Sequence, residues 1–273
     1  MDLTGSTAQQ RLLDSVRAIA QHAGAAIMDV YATPFDVERK GDNSPLTEAD
    51  RASHEIIRAG LASLEPRLPL LSEESRPEEL LHRRRWASYW LVDPLDGTKE
   101  FVKRNGEFTV NIALIVDNRA ILGIVLAPAI RLEYAAATAL GAWRSREGGP
   151  LEPIRTAVGH AGPARVLGSR SHASPTLIAY LERLGPHEII PMGSSLKMCL
   201  VADGQADIYA RFGPTSEWDT AAAQAVVETA GGSMVDLAGR ELRYNTKESL
   251  LNPHFLAIGD SSRNWLAAVP SET

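Results

Sequence analysis

Two aspartates stand three residues apart at the end of a short apolar run, in the stretch WLVDPLDGTKEF. Pro94, between Asp93 and Asp96, fixes the backbone and lacks an amide donor, so neither a helix nor a regular strand can continue through it. A turn there would bring both carboxylates to one point. Two such charges about 4 Å apart repel by roughly 4 kcal/mol at an effective dielectric constant of about 20. A divalent cation would offset that repulsion, although the pair alone also fits a plain Asp-Gly turn.

Further acidic residues occur at three other places in the chain. Glu73 ends a predicted strand in SEES, Asp50 follows Thr47 by three residues, and Asp219 opens a predicted helix. Each has a simpler interpretation, because Thr47 with Asp50 and Ser216 with Asp219 fit capping boxes and paired glutamates are usually solvated. Either these are separate coincidences or one metal site unites them. Carboxylates and a main-chain carbonyl form the oxygen shell that Mg²⁺ prefers, whereas soft thiolate ligands and a His-x-x-x-His spacing are absent, so zinc is not expected.

The bulk composition limits the function further. The chain has 273 residues, 44% hydrophobic residues and a net charge of −6, which suits one large or two abutting globular domains and argues against general nucleic-acid binding. A single cysteine, Cys199, cannot form an internal disulfide and favours a reducing compartment. No export signal and no apolar run of about 20 residues is found. A cytoplasmic protein is expected, with weak association at the inner membrane surface left open.

The elements that must position these residues divide into two halves. Helical periodicity covers residues 8–31, and a second helix begins near Thr47. Strands are predicted in LPLLSEE, over residues 89–92, and in a hairpin over residues 108–128, with the sheet continuing through LEYAAA. This first half is therefore α+β. Glycines and prolines at 148–153 mark the best domain boundary, which divides the chain into an N-terminal domain of residues 1–155 and a C-terminal domain of residues 156–273.

The second half alternates strands with helices and predicts an α/β layer. Strands are expected in ARVLGS, ADIYAR and HFLAIG, and helices in SPTLIAYLERLG, SSLKMCLVADG and WDTAAAQAVVETAGG. A short helix, TKEFV, is expected directly after Gly97. Amide groups at a helix N-terminus suit a phosphate oxygen, and glycine allows a close approach.

The motifs SPLTEAD, SEES, DPLDGT and EWDTAAA, in this order, resemble the inositol monophosphatase superfamily of Mg²⁺-dependent, Li⁺-inhibited phosphatases. The segments KGDNSPLTEAD, SRSH, MGSSLK and LNPHF are similar to one branch of it, the bacterial 3'(2'),5'-bisphosphate nucleotidases of the CysQ type. The likeness covers almost the whole chain, from about Arg11 to Ile258. It implies a layered αβαβα sandwich, a phosphatase that releases the 3'-phosphate of adenosine 3',5'-bisphosphate, and a part in sulfur assimilation.

The resemblance also implies the roles of the acidic residues. Glu73, Asp93 and the carbonyl group of Leu95 match the ligands of one Mg²⁺. Asp93, Asp96 and Asp219 match those of a second, and a weaker third ion held by Glu73 through water is left open. Glu73 thereby joins the catalytic set, together with Thr98 and Asp50, which match the pair that orients and activates the attacking water.

Candidate substrate contacts lie in four places. The phosphate undergoing reaction is expected near Gly97, Thr98 and Asp219. A second phosphate is expected at MGSSLK, whose candidates are Gly193, Ser194, Ser195 and Lys197. Ser-Ser also fits a plain helix N-cap with a solvated lysine. Ser169, Arg170 and His172 are candidates for contact with phosphate or adenine, while Arg211 either faces the second phosphate or simply ends a strand.

Three alternative functions remain at the level of the sequence. One is an inositol or sugar monophosphatase with the same metals and a different pocket. Another is a non-catalytic protein that senses nucleotide or Mg²⁺, against which the pair of Asp50 and Thr98 argues. A phosphatase with a covalent aspartyl intermediate would need two aspartates separated by one residue, and the Asp-x-x-Asp spacing counts against it. The partner is a small nucleotide in the preferred hypothesis, and monomer and homodimer are both compatible with the sequence.

Overall fold

The computed structural model describes residues 2–35, 37–39, 45–159, 161–168 and 174–270. Within these residues the α-helices are α1 (Ser6–Tyr31), α2 (Glu48–Ala62), α3 (Thr98–Val102), α4 (Pro175–Leu184), α5 (Leu196–Ala202) and α6 (Glu217–Thr229). The described strands are β1 (Glu38–Arg39), β2 (Pro45–Leu46), β3 (Leu70–Ser72), β4 (Ser88–Asp96), β5 (Thr109–Val116), β6 (Arg119–Ala127), β7 (Leu132–Ala137), β8 (Gly141–Arg146), β9 (Glu152–Pro153), β10 (Ala164–Gly168), β11 (His187–Pro191), β12 (Ile208–Arg211), β13 (Ser233–Asp236) and β14 (Phe255–Ile258). Short 3₁₀ helices cover Pro77–Leu80, Arg83–Arg85, Pro128–Ile130 and Trp265–Ala268.

The larger sheet is a meander of neighbouring strands in the order β3-β4-β5-β6-β7-β8-β9. Only its first pair, β3 with β4, is parallel, and the remaining pairs are antiparallel. The predicted hairpin is confirmed: β5 and β6 meet at Asp117 and Asn118, whose φ values of 48° and 63° are the left-handed values of a type I′ turn. The carboxyl end of β4 therefore lies inside the sheet, between β3 and β5.

The smaller sheet has the order β11-β10-β12-β14-β13. Strand β10 pairs in parallel with β11 and β12, whereas β14 runs antiparallel to both β12 and β13. The strands predicted in ARVLGS, ADIYAR and HFLAIG are confirmed. Strands β11 and β13, at the two edges, were not predicted.

The helices form layers on both sides of the two sheets. Helices α1 and α2 pack together and cover one face of the larger sheet, and α6 packs on its other face beside α5. Helices α5 and α6 also contact the smaller sheet, through β12, β13 and β14. On the far side of that sheet, α4 packs with the last 3₁₀ helix. The predicted αβαβα layering is therefore confirmed.

The middle layer is a hydrophobic core shared by both sheets. Leu91 and Val125 from the larger sheet join Tyr209 and Phe255 from the smaller sheet and Val226 of α6 in a single buried cluster. The predicted domain boundary falls between the last strand of the larger sheet and the first strand of the smaller one. Division into two domains stays a prediction, since the apolar surface between the sheets is continuous.

Close packing at one glycine fixes the distance between α6 and the larger sheet. A Cβ atom built on Gly123 of β6 would lie 2.2 Å from the carbonyl oxygen of Ala222 in α6, well inside contact distance. Only glycine permits this approach. Helix α6, which begins with the EWD motif, is thereby seated directly on the sheet that carries Asp93 and Asp96.

Among the helices of the described ranges, none combines the length and apolar character that a bilayer crossing requires.

Candidate active site

An irregularity in β4 brings Asp93 and Asp96 together. The strand does not stop at a turn after residue 92 but runs on to Asp96, and its pairing with β5 shifts between Asp93, opposite Asn111, and Asp96, opposite Thr109. Three residues of β4 thus span the length of two residues of β5, as in a β-bulge. In a regular strand, residues three apart face opposite sides of the sheet. The extra residue lets both carboxylates face the same site.

Asp219 of α6 completes a cluster of three carboxylates. Oxygen atoms of Asp93, Asp96 and Asp219 all lie within 4.8 Å of one another. Asp93 is only 1% exposed. Burial raises its pKa well above the ordinary value, and the charges of Glu73, Asp96 and Asp219 raise it further. Burial and the charge of Asp96 likewise raise the pKa of Asp219 to about 8.

Glu73 lies beside this cluster at the end of β3. Its amide donates to the carbonyl oxygen of Val92 at 3.1 Å, which extends the pairing of β3 with β4 up to the residue before Asp93. A tight turn follows, in which the hydroxyl of Ser75 accepts a hydrogen bond from the amide of Ser72 at 3.0 Å. The charge of Glu73 contributes to the raised pKa of Asp93. The two acidic residues that the sequence placed at strand ends are therefore neighbours.

Asp50 and Thr98 meet next to the cluster. The Thr98 hydroxyl lies 3.4 Å from Oδ1 of Asp50 and 3.3 Å from the carbonyl oxygen of Leu95. The other oxygen, Oδ2, accepts hydrogen bonds from the amide and the hydroxyl of Thr47, at 2.8 and 2.7 Å. Asp50 is therefore held as the N3 residue of the capping box of α2, whose N-cap is Thr47, and at the same time faces Thr98.

Helix α2 is tied to both strands that carry acidic residues. Ser53 donates to the carbonyl oxygen of Pro94 at 2.7 Å, and Nδ1 of His54 lies 3.1 Å from the hydroxyl of Ser72. Burial lowers the pKa of His54. Because Asp50 is one turn away on the same helix, these contacts fix its position relative to the end of β4.

The serines of MGSSLK contact Asp96 in this structure. The hydroxyls of Ser194 and Ser195 donate to its Oδ2 at 2.6 and 2.7 Å, and the amide of Ser195 does so at 2.7 Å. The same Ser195 hydroxyl lies 2.6 Å from the carbonyl oxygen of Asp219, so its one proton is shared between these two acceptors. These contacts orient one acidic residue and join it to the start of α6. Contact of Ser194, Ser195 and Gly193 with substrate stays a prediction.

Two residues of β5 that were not among the predicted site residues complete this set. Asn111 donates to the hydroxyl of Ser195 at 2.9 Å, and the hydroxyls of Thr109 and Ser194 lie 2.8 Å apart. Both β5 residues are buried in an otherwise apolar strand. A buried polar residue in such a strand needs a partner, and this was the available signal in the sequence TVNIALIV.

A cavity of about 180 Å³ opens beside the carboxylates. Asp96, Gly97 and Asp219 line one part of it, and Lys197 and Arg211 also line it. Burial lowers the pKa of Lys197 to about 8, against the opposing charge of Asp96. The buried Nε of Arg211 has no hydrogen-bond partner among the described residues, although its guanidinium donates to the carbonyl oxygen of Pro214 at 2.8 Å.

A second cavity of about 190 Å³ shares Tyr209 and Arg211 with the first and is also lined by Gly168 and Phe212. The segment that follows Gly168 contains Ser169, Arg170 and His172, and these residues lie outside the part of the chain that the structure describes. Their predicted contacts with substrate stay predictions.

The donor set fits a hard divalent cation. Three carboxylates converge at a point where burial, and then their mutual repulsion, raise the pKa of Asp93 and Asp219. The carbonyl oxygen of Leu95, 3.3 Å from the Thr98 hydroxyl, adds a neutral oxygen beside them. Oxygen donors of this kind, without thiolate or imidazole, suit Mg²⁺ far better than zinc.

The chain is similar in sequence and in fold to proteins of one family. A sequence profile of the inositol monophosphatase family matches residues 8–266. The 3'(2'),5'-bisphosphate nucleotidase CysQ of Escherichia coli strain K12 is 52% identical over 246 residues, which cover 89% of this chain and 98% of that protein. The CysQ of Haemophilus influenzae is 35% identical over 260 residues, covering 95% of this chain and 97% of that protein.

Solved structures give the same result. The crystal structure of CysQ from Bacteroides thetaiotaomicron, described as a bacterial member of the inositol monophosphatase family, is 39% identical, with a TM-score of 0.80 over 93% of this chain and 98% of that one. An inositol monophosphatase from Anabaena, 23% identical, shares the fold with a TM-score of 0.74 over 97% of this chain and 98% of that one. The resemblance predicted from the motifs is confirmed, and the chain belongs to the inositol monophosphatase family, a family of metal-dependent phosphatases.

Proposed function

We propose that this protein is a Mg²⁺-dependent phosphatase that hydrolyses the 3'-phosphate of adenosine 3',5'-bisphosphate to AMP and phosphate. One observation carries the proposal: Asp96 and Asp219, two members of the three-carboxylate cluster, line the same cavity as the cations Lys197 and Arg211. A molecule with two phosphate groups suits both regions. The relatives named 3'(2'),5'-bisphosphate nucleotidase support the same substrate class.

The residues that would hold the metal ions are those of the acidic cluster. Glu73, Asp93 and the Leu95 carbonyl group would bind one Mg²⁺, and Asp93, Asp96 and Asp219 a second. Bound there, the ions lower the pKa of a water molecule and neutralise charge on the phosphate group. The number of ions per site is part of the proposal.

Thr98 and Asp50 are assigned to the attacking water. A hydroxyl that donates to a carboxylate keeps its own oxygen available as an acceptor. Thr98 would therefore accept a hydrogen bond from the water while it donates to Asp50, 3.4 Å away. The water oxygen would bond to phosphorus, with its proton passing to the Thr98 oxygen as the Thr98 proton passes to Asp50. The bond from phosphorus to the ribose oxygen would break, and that oxygen would take a proton from a second water beside Asp219; the hydroxide left behind would take up the proton from Asp50. General-base assistance of this kind contributes about 10²- to 10⁴-fold.

The second phosphate is assigned to Lys197 and Arg211. Lys197 is held in place by its buried stem, with its ammonium group 5.5 Å from the ring centre of Tyr209. Burial lowers the pKa of this ammonium group to about 8, and a phosphate dianion beside it would raise that pKa again and further favour the charged form. Arg211 adds a planar donor that suits phosphate.

Phosphate release from a substrate panel tests the proposal. Purified protein with Mg²⁺ is given adenosine 3',5'-bisphosphate, 3'-AMP and inositol 1-phosphate, and the highest kcat/KM is expected for the bisphosphate. Faster cleavage of inositol 1-phosphate would instead favour the second candidate, an inositol monophosphatase, which the family profile itself suggests. Binding of the bisphosphate without turnover of any substrate would favour a sensing protein.

Substitution of Lys197 separates the two phosphatase candidates. Lys197→Met fills the buried space without the charge, and we expect KM for the bisphosphate to rise at least about tenfold, since a charged hydrogen bond contributes roughly 1.5–3 kcal/mol. The KM for 3'-AMP, which lacks the second phosphate, should change little and serves as the internal control. An equal rise for both substrates would contradict the assignment of Lys197.

A further inference from the structure

A buried network outside the cavity ties the start of α6 to the first half of the chain. Glu217, the first residue of α6, is 0% exposed. Its carboxylate accepts a hydrogen bond from the amide of Asn245 at 2.7 Å and pairs with the ammonium group of Lys247 at 3.3 Å. The side chain of Glu217 therefore contacts the segment before β14, while Asp219, two residues later, reaches the carboxylate cluster.

Arg83 holds the other side of the same segment. It is 6% exposed and donates to the side-chain oxygen of Asn245 and to the carbonyl oxygens of Lys247 and Glu248. In return, the Asn245 side chain donates to the carbonyl oxygen of Arg83 at 2.6 Å. Asn245 itself has a left-handed backbone, with φ of 59°, which holds its amide and its side chain toward different partners. The segment is thus bound by Arg83 on one side and by Glu217 on the other.

The network connects two segments that carry acidic residues of the site. Arg83 lies in the connection between β3, which ends beside Glu73, and β4, which carries Asp93. Glu217 begins the helix that carries Asp219. Asn245 therefore joins the start of α6 to the segment between Glu73 and Asp93 without entering the cavity.

Stability alone does not account for a carboxylate at position 217. Buried ion pairs are often no more stable than apolar side chains of similar volume. An apolar side chain at position 217 would fill the same space but could not accept a hydrogen bond. The carboxylate binds one particular amide group, that of Asn245, and so fixes where the start of α6 lies relative to that segment.

We propose that Glu217 is a positioning residue that, through Asn245 and Arg83, holds the N-terminus of α6 so that Asp219 can bind metal. This inference rests on the proposed function, because it takes Asp219 as a metal ligand. Residues that orient metal ligands typically change metal affinity about 10- to 100-fold when they are replaced. Loss of the Glu217 carboxylate should therefore weaken Mg²⁺ binding even though Glu217 does not touch the metal.

Calorimetric titration of the folded protein with Mg²⁺ provides the test. Glu217→Ala should raise the Kd at least about tenfold, with a fall in kcat and little change in the KM for nucleotide. Glu217→Gln still accepts from the amide of Asn245 and should restore most of the affinity. Arg83→Lys alters a contact with the same asparagine and should also weaken Mg²⁺ binding. The factor by which the double variant Glu217→Ala with Arg83→Lys loses Mg²⁺ affinity should therefore be smaller than the product of the two single factors.

Asp207→Asn is the matched control. Asp207 is also a buried carboxylate, 0% exposed, and it forms an ion pair with Arg165. It directly precedes β12, whereas Arg211, which lines the cavity, is the last residue of that strand. Its loss should lower the unfolding temperature and leave the Kd for Mg²⁺ unchanged.

The outcomes separate the inference from the function on which it rests. If Glu217→Ala and Glu217→Gln both keep the parent Kd while they lose stability as Asp207→Asn does, Glu217 is a structural residue only and the inference is wrong. If the parent protein itself binds no Mg²⁺, the proposed function fails first. Should Glu217→Ala not fold, an unchanged Kd for Mg²⁺ in Arg83→Lys, which alters the other contact of Asn245, would overturn the inference equally.

Discussion

Two aspartates of the site each perform two tasks. Asp50 accepts hydrogen bonds from Thr47 through one oxygen and lies 3.4 Å from Thr98 through the other. Asp219 accepts from the amide of Ser216 at 2.8 Å and also belongs to the carboxylate cluster. A carboxylate has two oxygens with about four acceptor positions. Helix capping and site chemistry, which the sequence presented as alternatives, are therefore compatible in one side chain.

The Thr98 hydroxyl gives the first prediction. Thr98→Val keeps the shape of the side chain and removes the hydroxyl, so we expect kcat to fall about 10²- to 10⁴-fold. Affinity for the bisphosphate, measured by calorimetry, should stay near that of the parent. Thr98→Ser keeps the hydroxyl and serves as the control, with most of the activity retained. Activity of the valine variant close to that of the parent would show that Thr98 does not act on the water.

The carboxylate cluster gives a second prediction, on stability. In EDTA, Asp93→Asn should unfold at a higher temperature than the parent, since it removes one of several buried like charges. We expect relief on the order of 1–2 kcal/mol, or about 3–6 °C for a chain of this size. Excess Mg²⁺ should then stabilise the parent and have a much smaller effect on the variant.

Thermal unfolding with and without Mg²⁺ measures both effects. Asp14→Asn, which removes an exposed carboxylate of α1, is the control for a general change in net charge. Equal unfolding temperatures of the parent and Asp93→Asn in EDTA would show that the cluster is not under electrostatic strain.

At the scale of elements, the contact between β6 and α6 is the tightest constraint on the site. Gly123→Ala would place a methyl group 2.2 Å from the carbonyl oxygen of Ala222, so the helix must move away from the sheet. We expect a loss of about 3 kcal/mol in the free energy of unfolding, at the upper end for overpacking, and weaker Mg²⁺ binding because α6 carries Asp219. Denaturant titration measures the first effect.

Gly5→Ala is the control for this substitution. Apart from its chain neighbours, the nearest atom to a Cβ at that position is a carboxylate oxygen of Asp2 at 3.5 Å, an ordinary contact. Gly5 is the N-cap of α1, where alanine is less favourable than glycine, and the loss of stability should stay below about 1 kcal/mol. If Gly123→Ala is as stable as Gly5→Ala, α6 adapts at little cost and the contact does not position the site.

Many of the helices and strands could be predicted from the sequence, because they depend on local signals. The periodicity of α1, the Asp117-Asn118 turn and the glycines after α6 are read within a few residues of the elements they define. Strand β11 carries no such signal: HEIIP is largely exposed and ends in proline, and it becomes a strand only because β10 pairs with it. Strand β13, a four-residue edge strand, likewise depends on β14.

The candidate site shows the same division. Asp93, Asp96 and Asp219 could be named from motifs, because their types and local spacing are unusual. The attachment of Ser194 and Ser195 to Asp96 could not be predicted, since it joins residues almost 100 positions apart across two layers. In the sequence, Glu217 is only the first residue of the EWD motif, and nothing there predicts its buried contacts. Asn245 and Arg83 become its neighbours only in the folded chain.

At the scale of the whole molecule, Glu228 gives a prediction on pH. This residue lies in the last turn of α6, on the helix that both sheets enclose, and burial raises its pKa to about 7. A hydrogen bond from Gln224 opposes the shift, Glu241 adds to it, and Arg119 and Arg243 oppose it. The folded state therefore favours the protonated carboxyl group.

Proton binding determines whether the stability of the folded state rises or falls with pH. Between the ordinary pKa of 4.5 and about 7, the folded state binds more protons at Glu228 than the unfolded state. The stabilising contribution is therefore fully present below 4.5 and is lost as pH rises through about 7. Its size is a few kcal/mol at most, since one pKa unit corresponds to about 1.4 kcal/mol, and partial exposure reduces it.

Glu228→Gln should accordingly be more stable than the parent at pH 8 and similar to it at pH 4.5, where both side chains are neutral. Denaturant unfolding at the two pH values measures the difference, and the acidic value is the internal control. A constant difference across the pH range would contradict the raised pKa.

The bulge of β4 has a consequence for how the site is encoded. In a regular ladder, a single residue between two aspartates would already place both on one face. The additional position lets Leu95 face two ways, with its side chain among the core residues and its carbonyl oxygen 3.3 Å from the Thr98 hydroxyl. That oxygen is specified by backbone shape rather than by residue type. Exchange of Leu95 for another apolar residue would leave it in place, whereas deletion of one residue would remove it and realign the strand.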